Sequence, residues 1–417
     1  MQEQQLQIPR NRYRNNAKAV EHGMKSFRLA RESGLMDQYV RLAPNDRLVT
    51  GDGHQFVNFS SCNYLGLHTH PKIIEGAALM VREQGFMCLS ISMVRVCSEV
   101  HHRLEEDMSD LYDASCVVSL SCTSASEGIL PLLACGALTE NERPVMVFDK
   151  HSHFSMAIAM PMCGDETEVL SCKNNDLNFL EDMCRKHKRV AYVADGAYSM
   201  GGYTLMKDLI ALQDRYGLFL YLDDSHSLSL CGGKGGGFVR TTMNGPINDR
   251  TIIVCSLAKA FGASGGVVMM GENPKREEII RRMGGPFGWS QNLSTANVGA
   301  VMASAQLHRS PLLAELQGDL KQRLEQFDQL IATPQAGSAF PIRLVEIGAE
   351  DNAVEVSSRL YKRGFYSSAV FFPIVAKGKA GVRVMLRANH RPEDVAGLVQ
   401  AIMAVRGEVL GEALSGS

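Results

Sequence analysis

Short apolar runs alternate with amphipathic stretches through the middle of the chain, and this alternation restricts the possible folds more than any other feature. The runs are continuously apolar, as in strands that are buried on both faces of a parallel sheet. Amphipathic stretches such as 176–187 and 206–216 have the length of crossover helices. The pattern therefore predicts an α/β sheet with helices on both faces. The predicted strands are residues 116–121, 145–149, 190–194, 218–222, 251–256 and 266–270.

The pattern changes near residue 293. Two long helical patterns, 293–309 and 312–331, precede a βαβα pattern that ends near residue 405. A length of 417 residues is compatible with two or three domains. We predict an N-terminal arm over residues 1–50, a large domain over 51–292 and a smaller α+β domain over 293–417, with the arm packed beside the small domain.

Composition and charge exclude several classes of protein. The chain is 45% apolar and 21% charged, which is ordinary for a globular protein. Its net charge of -2 gives no basic excess, so we expect no nucleic-acid partner. No stretch reaches the roughly 18 apolar residues of a membrane span, and the polar N-terminus does not resemble a signal peptide. Eleven cysteines at irregular spacing predict reduced thiols and no metal site, so we expect a cytoplasmic protein.

One lysine directly follows a predicted buried strand, in TIIVCSLAKAFGASGG. Partial burial at that place would lower the pKa of the Lys259 amine and make it a nucleophile toward aldehydes. The alternative is a solvated lysine in a loop at the sheet edge, which is the more common environment for an isolated lysine. This segment alone leaves both interpretations open.

Another strand, in LFLYLDDSH, ends in two carboxylates and a histidine. Ligands of open α/β sheets bind at the carboxyl ends of the strands, so Asp223 and His226 are expected to face a site. A carboxylate buried there needs a cationic partner. A pyridinium nitrogen would be such a partner, and the chemistry of pyridoxal phosphate depends on one.

The order and spacing of these motifs resemble the α-oxoamine synthase family of pyridoxal-phosphate enzymes. The resemblance extends from FSSCNYLGL, residues 59–67, to VRVMLRANH, residues 382–390, with several motifs in the same order. It implies an α/β fold, namely that of fold type I pyridoxal-phosphate-dependent transferases. In that fold a large domain with a mostly parallel sheet is joined to a smaller C-terminal α+β domain.

The resemblance also assigns roles to four residues around the cofactor ring. Lys259 matches the family lysine that binds the cofactor covalently. Asp223 matches the carboxylate that pairs with the pyridine nitrogen, and His226 matches a residue near the phenolic oxygen. In VFDKHSHFS, His153 matches the histidine that stacks on the ring.

The cofactor phosphate has a candidate site in SLSCTSASEG, where a strand end and a small-residue turn lead into a helix. Backbone N–H groups and the helix dipole favour an anion at such a place, and Ser121, Cys122 and Thr123 are the candidate donors. The alternative is a serine-rich loop that only caps the helix. The resemblance adds Ser256 as a phosphate contact. It also places Ser290 at the phosphate of a neighbouring subunit, which implies a homodimer with shared active sites.

Three further residues are expected near the substrate or the cofactor. Arg383 matches the family arginine that binds the amino-acid carboxylate, a task for which the planar guanidinium is well suited. The family usually has Asn at the position of Cys62, and a thiol is a poor replacement donor, so either Asn63 provides the second substrate contact or the amino-acid site is altered. Ser199, in DGAYSMG, falls at a family position close to the cofactor.

The implied activity is a decarboxylating condensation of an amino acid with an acyl thioester, either acyl-CoA or acyl carrier protein, to give an α-aminoketone. Fold alone does not exclude another reaction of fold type I enzymes, such as transamination or a lyase reaction. A second alternative is a non-catalytic partner subunit of a synthase. The presence of Lys259, Asp223, His226 and His153 argues against that alternative, because an inactive subunit could lose any of them.

Overall fold

The computed structural model describes residues 20, 24, 27–86, 89, 91–371, 375 and 377–411. These residues form two units: unit 1 comprises the described residues of 67–198 and 203–313, and unit 2 those of 16–66, 199–202 and 314–417. Most of the first 26 residues of the predicted arm lie outside the described part of the chain. The described part of the arm belongs to unit 2, together with the C-terminal residues.

The division into units differs from the predicted boundary at residue 293. The helix Thr295–His308 belongs to unit 1, where it packs against the helix Pro71–Gln84. Gly76 and Gly299 allow this close approach, because a Cβ atom on Gly299 would lie 2.2 Å from the carbonyl oxygen of Gly76. The change of sequence pattern near residue 293 therefore marks a pair of packed helices that belongs to unit 1.

The strands are short and lie mainly where apolar runs occur in the sequence. They are β1 (Val40–Ala43), β2 (Arg47–Thr50), β3 (Gln55–Asn58), β4 (Ser115–Ser119), β5 (Val145–Asp149), β6 (Val169–Cys172), β7 (Val190–Asp195), β8 (Phe219–Asp223), β9 (Thr251–Ser256), β10 (Gly266–Met270), β11 (Ile342–Gly348), β12 (Phe365–Tyr366), β13 (Ser368–Val370) and β14 (Ala380–Met385).

Unit 1 is built around one sheet of seven strands in the order β4-β10-β9-β8-β7-β5-β6. The strands from β9 to β6 are parallel, whereas β10 runs antiparallel to both of its neighbours. All residues of β5, β7, β8 and β10 are buried, which accounts for their continuously apolar sequences. The six predicted strands are confirmed, and β6 is an additional edge strand.

Alternate residues of each strand enter two separate cores. Val147 packs into one core, and its neighbours Met146 and Phe148 pack into the other. Helices cover both faces, as the α/β pattern predicts. The helices of unit 1 are α1 (Pro71–Gln84), α2 (Glu99–Tyr112), α3 (Cys122–Ala134), α4 (Phe154–Ala157), α5 (Met160–Gly164), α6 (Leu177–Lys186), α7 (Met206–Tyr216), α8 (Gly237–Thr242), α9 (Pro274–Met283), α10 (Pro286–Trp289) and α11 (Thr295–His308).

Unit 2 contains two small sheets, with strand orders β1-β2-β3-β12 and β11-β14-β13. Its helices α13 (Glu350–Lys362) and α14 (Pro392–Leu410) pack against each other, and α12 (Leu312–Leu330) begins at the boundary with unit 1. Arg383 lies in β14, the central strand of the second sheet. Over the described ranges, the helices include none with the length and apolar character needed to cross a membrane.

Candidate active site

Two buried carboxylates stand side by side at the carboxyl edge of the unit 1 sheet. Asp195 is the last residue of β7, and Asp223 is the last residue of the neighbouring strand β8. The two residues are Cα partners in this parallel pair. Their side chains therefore share one face of the sheet, on strands about 4.8 Å apart. Ligands of α/β sheets bind at this edge.

Asp223 receives two hydrogen bonds from neutral donors. Its Oδ1 accepts the Ser225 backbone N–H at 3.0 Å, and its Oδ2 accepts the Cys122 thiol at 3.3 Å. The residue is only 5% exposed. A buried carboxylate is stabilised most by a cationic hydrogen-bond donor. A protonated ring nitrogen would be a partner of that kind.

The helix α3 begins directly beside Asp223. Its N-cap residue Ser121 forms a reciprocal pair with Ser124: the Ser124 N–H donates to Ser121 Oγ at 3.0 Å, and the Ser121 N–H donates to Ser124 Oγ at 2.9 Å. The N–H groups of Cys122 and Thr123 have no acceptor among the residues that the structure describes. Those two groups, at the positive end of a 13-residue helix, are suited to an anion.

Gly266 allows this turn to lie close to the sheet. A Cβ atom at Gly266 would be 2.6 Å from the carbonyl carbon of Ser121 and 2.7 Å from the nitrogen of Cys122. Any side chain there would displace the main chain of the turn. The strand β10 therefore sets the position of the candidate phosphate donors relative to the sheet.

Lys259 lies in the turn after β9 and is half-buried. Its charge acts on Cys122, His153 and Asp195, which places the amine among these groups. Ser225 joins the two strand ends that carry the lysine and the carboxylate: its Oγ accepts the Ser256 N–H at 2.7 Å. Ser225 thus contacts both the Asp223 carboxylate and the segment that leads to Lys259.

His153 is held at the same edge through its main chain, because its N–H donates to Asp195 Oδ1 at 2.9 Å. Its Nδ1 lies 2.8 Å from Ser155 Oγ. Desolvation lowers the pKa of the imidazole, and the positive charge of Lys259 adds to this effect, while the negative charge of Asp223 opposes it. The neutral ring is therefore favoured, and a neutral ring is suited to stacking on a cationic heterocycle.

Three other predicted residues of unit 1 are Ser256, His226 and Ser290. Ser256 is half-buried at the end of β9, and its Oγ accepts the Ala258 N–H at 3.2 Å. His226 is buried three residues after Asp223. Ser290 is exposed at the end of α10. Unit 1 therefore contains Lys259, Asp223, His226, His153, Ser256, Ser290 and the turn at 121–123, and their roles stay predictions.

Unit 2 contains the other three predicted residues. The Arg383 guanidinium donates from Nη1 to the carbonyl oxygen of Ser199 at 3.3 Å, and its Nε is buried without a partner in the described part of the chain. Among the described residues, Arg383 forms no ion pair with a carboxylate. The amide of Asn63 is also buried, and neither its oxygen nor its nitrogen has a partner within the ranges that the structure describes. Arg383 and Asn63 can therefore still accept a polar ligand.

Ser225 and Asp195 also belong to this site, and neither is among the residues predicted from the sequence. A signal for Asp195 is visible, because the strand sequences VMVFD, VAYVAD and FLYLD all end in aspartate at Asp149, Asp195 and Asp223. The carboxyl ends of parallel strands meet at one edge, so all three carboxylates should have been candidates. Nothing in the sequence indicates the contacts of Ser225.

A mostly parallel sheet with a lysine, a buried carboxylate and a helix N-terminus at its carboxyl edge is the arrangement of fold type I pyridoxal-phosphate enzymes. The chain belongs to the aminotransferase class I and II family, which matches residues 54–402. This match and the relatives named below confirm the predicted family, fold type and cofactor. They also confirm the predicted enzyme class, a pyridoxal-phosphate-dependent acyltransferase.

Two relatives resemble nearly the whole sequence. A 2-amino-3-ketobutyrate coenzyme A ligase of Salmonella typhimurium is 27% identical over 398 residues, covering 92% of this chain and 96% of the relative. An 8-amino-7-oxononanoate synthase of Alkaliphilus metalliredigens is 28% identical over 378 residues, covering 88% and 91%. Among solved structures, a serine palmitoyltransferase from S. paucimobilis has a TM-score of 0.82 at 18% identity, covering 96% of this chain and 100% of that one. This last likeness supports the fold.

The residues of unit 1 fit pyridoxal phosphate. The buried Asp223 carboxylate has only neutral hydrogen-bond donors in the contacts described above, so a pyridinium N–H would complete it. The unpaired N–H groups at the start of α3 would hold the phosphate. The half-buried amine of Lys259 lies among the same groups and is able to bind the aldehyde.

Proposed function

We propose that this protein catalyses the decarboxylating condensation of an amino acid with an acyl thioester, giving an α-aminoketone. The observation that carries the proposal is that Lys259 and the buried carboxylate of Asp223 lie at one edge of the unit 1 sheet, joined through Ser225. One relative named above, a 2-amino-3-ketobutyrate coenzyme A ligase, supports an acyl thioester as the second substrate.

When bound, pyridoxal phosphate supplies an electron sink that makes the Cα proton of an amino acid acidic enough to remove. Lys259 would hold the cofactor through Nζ and, once the incoming amino acid has freed its amine, would take the proton from Cα. Asp223 would keep a proton on the ring nitrogen, and its burial strengthens that interaction. His226 would donate to the phenolic oxygen.

Other residues of unit 1 would orient the cofactor. The N–H groups of Cys122 and Thr123, together with Ser256, would bind its phosphate, and His153 would stack on its ring. In the overall reaction Cα bonds to the acyl carbonyl carbon, the C–S bond breaks, and the thiolate leaves and takes a proton from solvent. The carboxylate then leaves as CO₂, and Lys259 would return to Cα the proton that it removed.

Arg383 is the proposed binding residue for the carboxylate of the amino acid, with Asn63 as a second contact. We expect Arg383→Lys to raise the KM for the amino acid by about 10-fold and Arg383→Ala by about 100-fold, because lysine keeps the charge but loses the bidentate fork. Steady-state kinetics at saturating acyl-CoA measures both values. A KM for the acyl donor that rises instead would assign Arg383 to the thioester.

A thiol-release assay tests the function directly. Purified holoenzyme is incubated with amino acids crossed with acyl-CoAs of several chain lengths, and with acyl carrier protein as an alternative donor. We expect free thiol and CO₂ in equal amounts, formed only when both substrates are present. Keto acid formed without a thioester would indicate transamination. Retained cofactor without turnover of any pair would indicate a partner subunit.

We also propose a homodimer, because Ser290 matches a residue that binds the phosphate of the neighbouring subunit. Ser290 lies exposed at the end of the short helix α10 in unit 1, where it is available to a second chain. Light scattering of the holoenzyme is expected to give twice the chain mass of 45.7 kDa. A monomer that retains full activity would contradict the shared site.

A further inference from the structure

Asp195 is a buried carboxylate in which only one of the two oxygens accepts a hydrogen bond from a residue that the structure describes. Its Oδ1 accepts the His153 N–H at 2.9 Å, whereas its Oδ2 is buried with no partner among the described residues. The residue is 1% exposed. A buried acceptor without a hydrogen bond destabilises the folded protein, and most buried polar groups in proteins are hydrogen-bonded. The unpaired oxygen therefore requires an explanation.

Asp149, at the end of the neighbouring strand β5, provides the contrast. Its Oδ2 accepts the Tyr192 hydroxyl at 2.7 Å and the Asn175 N–H at 2.9 Å, and its Oδ1 accepts the His151 N–H at 2.7 Å. This carboxylate has all the donors it needs from its own surroundings. Asp149 is a structural acid, whereas Asp195 is incomplete in the protein alone.

We propose that Asp195 is a positioning residue of the cofactor site: its Oδ1 fixes the main chain of His153, and its Oδ2 is kept for a hydrogen-bond donor or positive charge that arrives with the cofactor. The proposal rests on the cofactor roles of His153 and Asp223, and it does not depend on the acyl substrate. Pyridoxal phosphate bound against Asp223 would bring a protonated ring nitrogen to the same face of the sheet.

Charged and polar groups on several neighbouring elements act on Asp195. Asp223 on β8 and Asp149 on β5 are negative, Lys259 after β9 is positive, and the Tyr198 hydroxyl lies on the following loop. Burial is the largest effect on Asp195, and repulsion from Asp223 adds to it, so the pKa of the Asp195 carboxyl is raised well above its ordinary value. The attraction of Lys259 opposes this shift without reversing it.

A raised pKa in the folded state has a definite consequence for stability. Without the cofactor, the folded protein favours the protonated carboxyl, so this contribution is fully present below the ordinary Asp pKa of 3.8 and is lost as the pH rises through the folded value. A donor or positive charge that arrives at Oδ2 would displace that proton and leave the carboxylate as the acceptor. Because Asn at position 195 cannot ionise, the variant does not lose this stability as the pH rises. Because its amide oxygen can still accept the His153 N–H, the variant also keeps the main-chain contact.

The experiment compares Asp195→Asn with the matched control Asp149→Asn, both as cofactor-free protein and in titrations with pyridoxal phosphate. We expect D195N to melt about 2–4 °C above wild type at pH 8, with a difference that shrinks toward pH 5.5. D149N is expected to melt below wild type at both pH values, because its tyrosine and amide donors lose a carboxylate.

Pyridoxal phosphate itself is the second probe. The affinity of D195N for pyridoxal phosphate is expected to fall about tenfold or more, because an amide NH₂ replaces the waiting acceptor. Wild-type affinity in D195N, or a cofactor-free D195N that is destabilised like D149N, would overturn the proposal. Neither readout uses a thioester, so an absence of condensation activity in wild type would count against the proposed function and leave these two results interpretable.

Discussion

Lys259→Ala is expected to lower turnover by about 10²–10⁴-fold and to leave the cofactor without a covalent bond to the protein. The expected loss is large because one amine has two tasks: it holds the cofactor aldehyde and it moves the Cα proton. The amine lies half-buried among Cys122, His153 and Asp195, and of the lysines that the structure describes no other is placed among these groups.

Two measurements check this prediction. Reductive trapping followed by peptide mass mapping should place the cofactor on the peptide that contains Lys259, and dialysis should remove the cofactor from K259A but not from wild type. Lys234→Ala is the control, because Lys234 is an exposed lysine in a glycine-rich loop. A K259A protein that keeps the visible absorption band of wild type would contradict the assignment.

Most of the unit 1 sheet could be predicted from sequence because its strands are buried on both faces and therefore appear as uninterrupted apolar runs. The edge strand β6, with the short sequence VLSC, has no such run. The strands β1 to β3 of unit 2 were also missed, because several of their residues are exposed and no apolar run marks them. Sequence patterns report burial, and these strands are only partly buried.

The boundary between the units could not be predicted because a packed pair of helices leaves little trace in composition. The contact between α1 and α11 depends on Gly76 and Gly299, which are far apart in the sequence and individually unremarkable. The residues of the site differ in the same way. Lys259 and Asp223 stand out at the ends of apolar strands, whereas Ser225 matters only because the fold brings the ends of β8 and β9 together.

Asp223→Asn is expected to lower kcat by about 10²–10³-fold while the cofactor stays attached to Lys259. Asparagine keeps the shape and can still accept the Ser225 N–H, but it has no negative charge with which to keep the ring nitrogen protonated. The electron sink would then be weaker at the step in which the Cα proton leaves. The effect should therefore be seen with the amino acid alone, before any acyl donor is added.

Exchange of the Cα hydrogen for deuterium, followed by NMR in D₂O without a thioester, isolates that step. Asp224→Asn is the matched control, because Asp224 is the next residue, is fully buried and has a pKa raised to about 7 by its burial. Its Oδ2 accepts the Val239 N–H of helix α8 at 2.8 Å. We expect D224N to exchange at the wild-type rate and D223N to exchange about 10²–10³-fold more slowly. If both variants exchange at the wild-type rate, the charge of Asp223 does not act on the ring nitrogen, and the site must stabilise the carbanion by other groups.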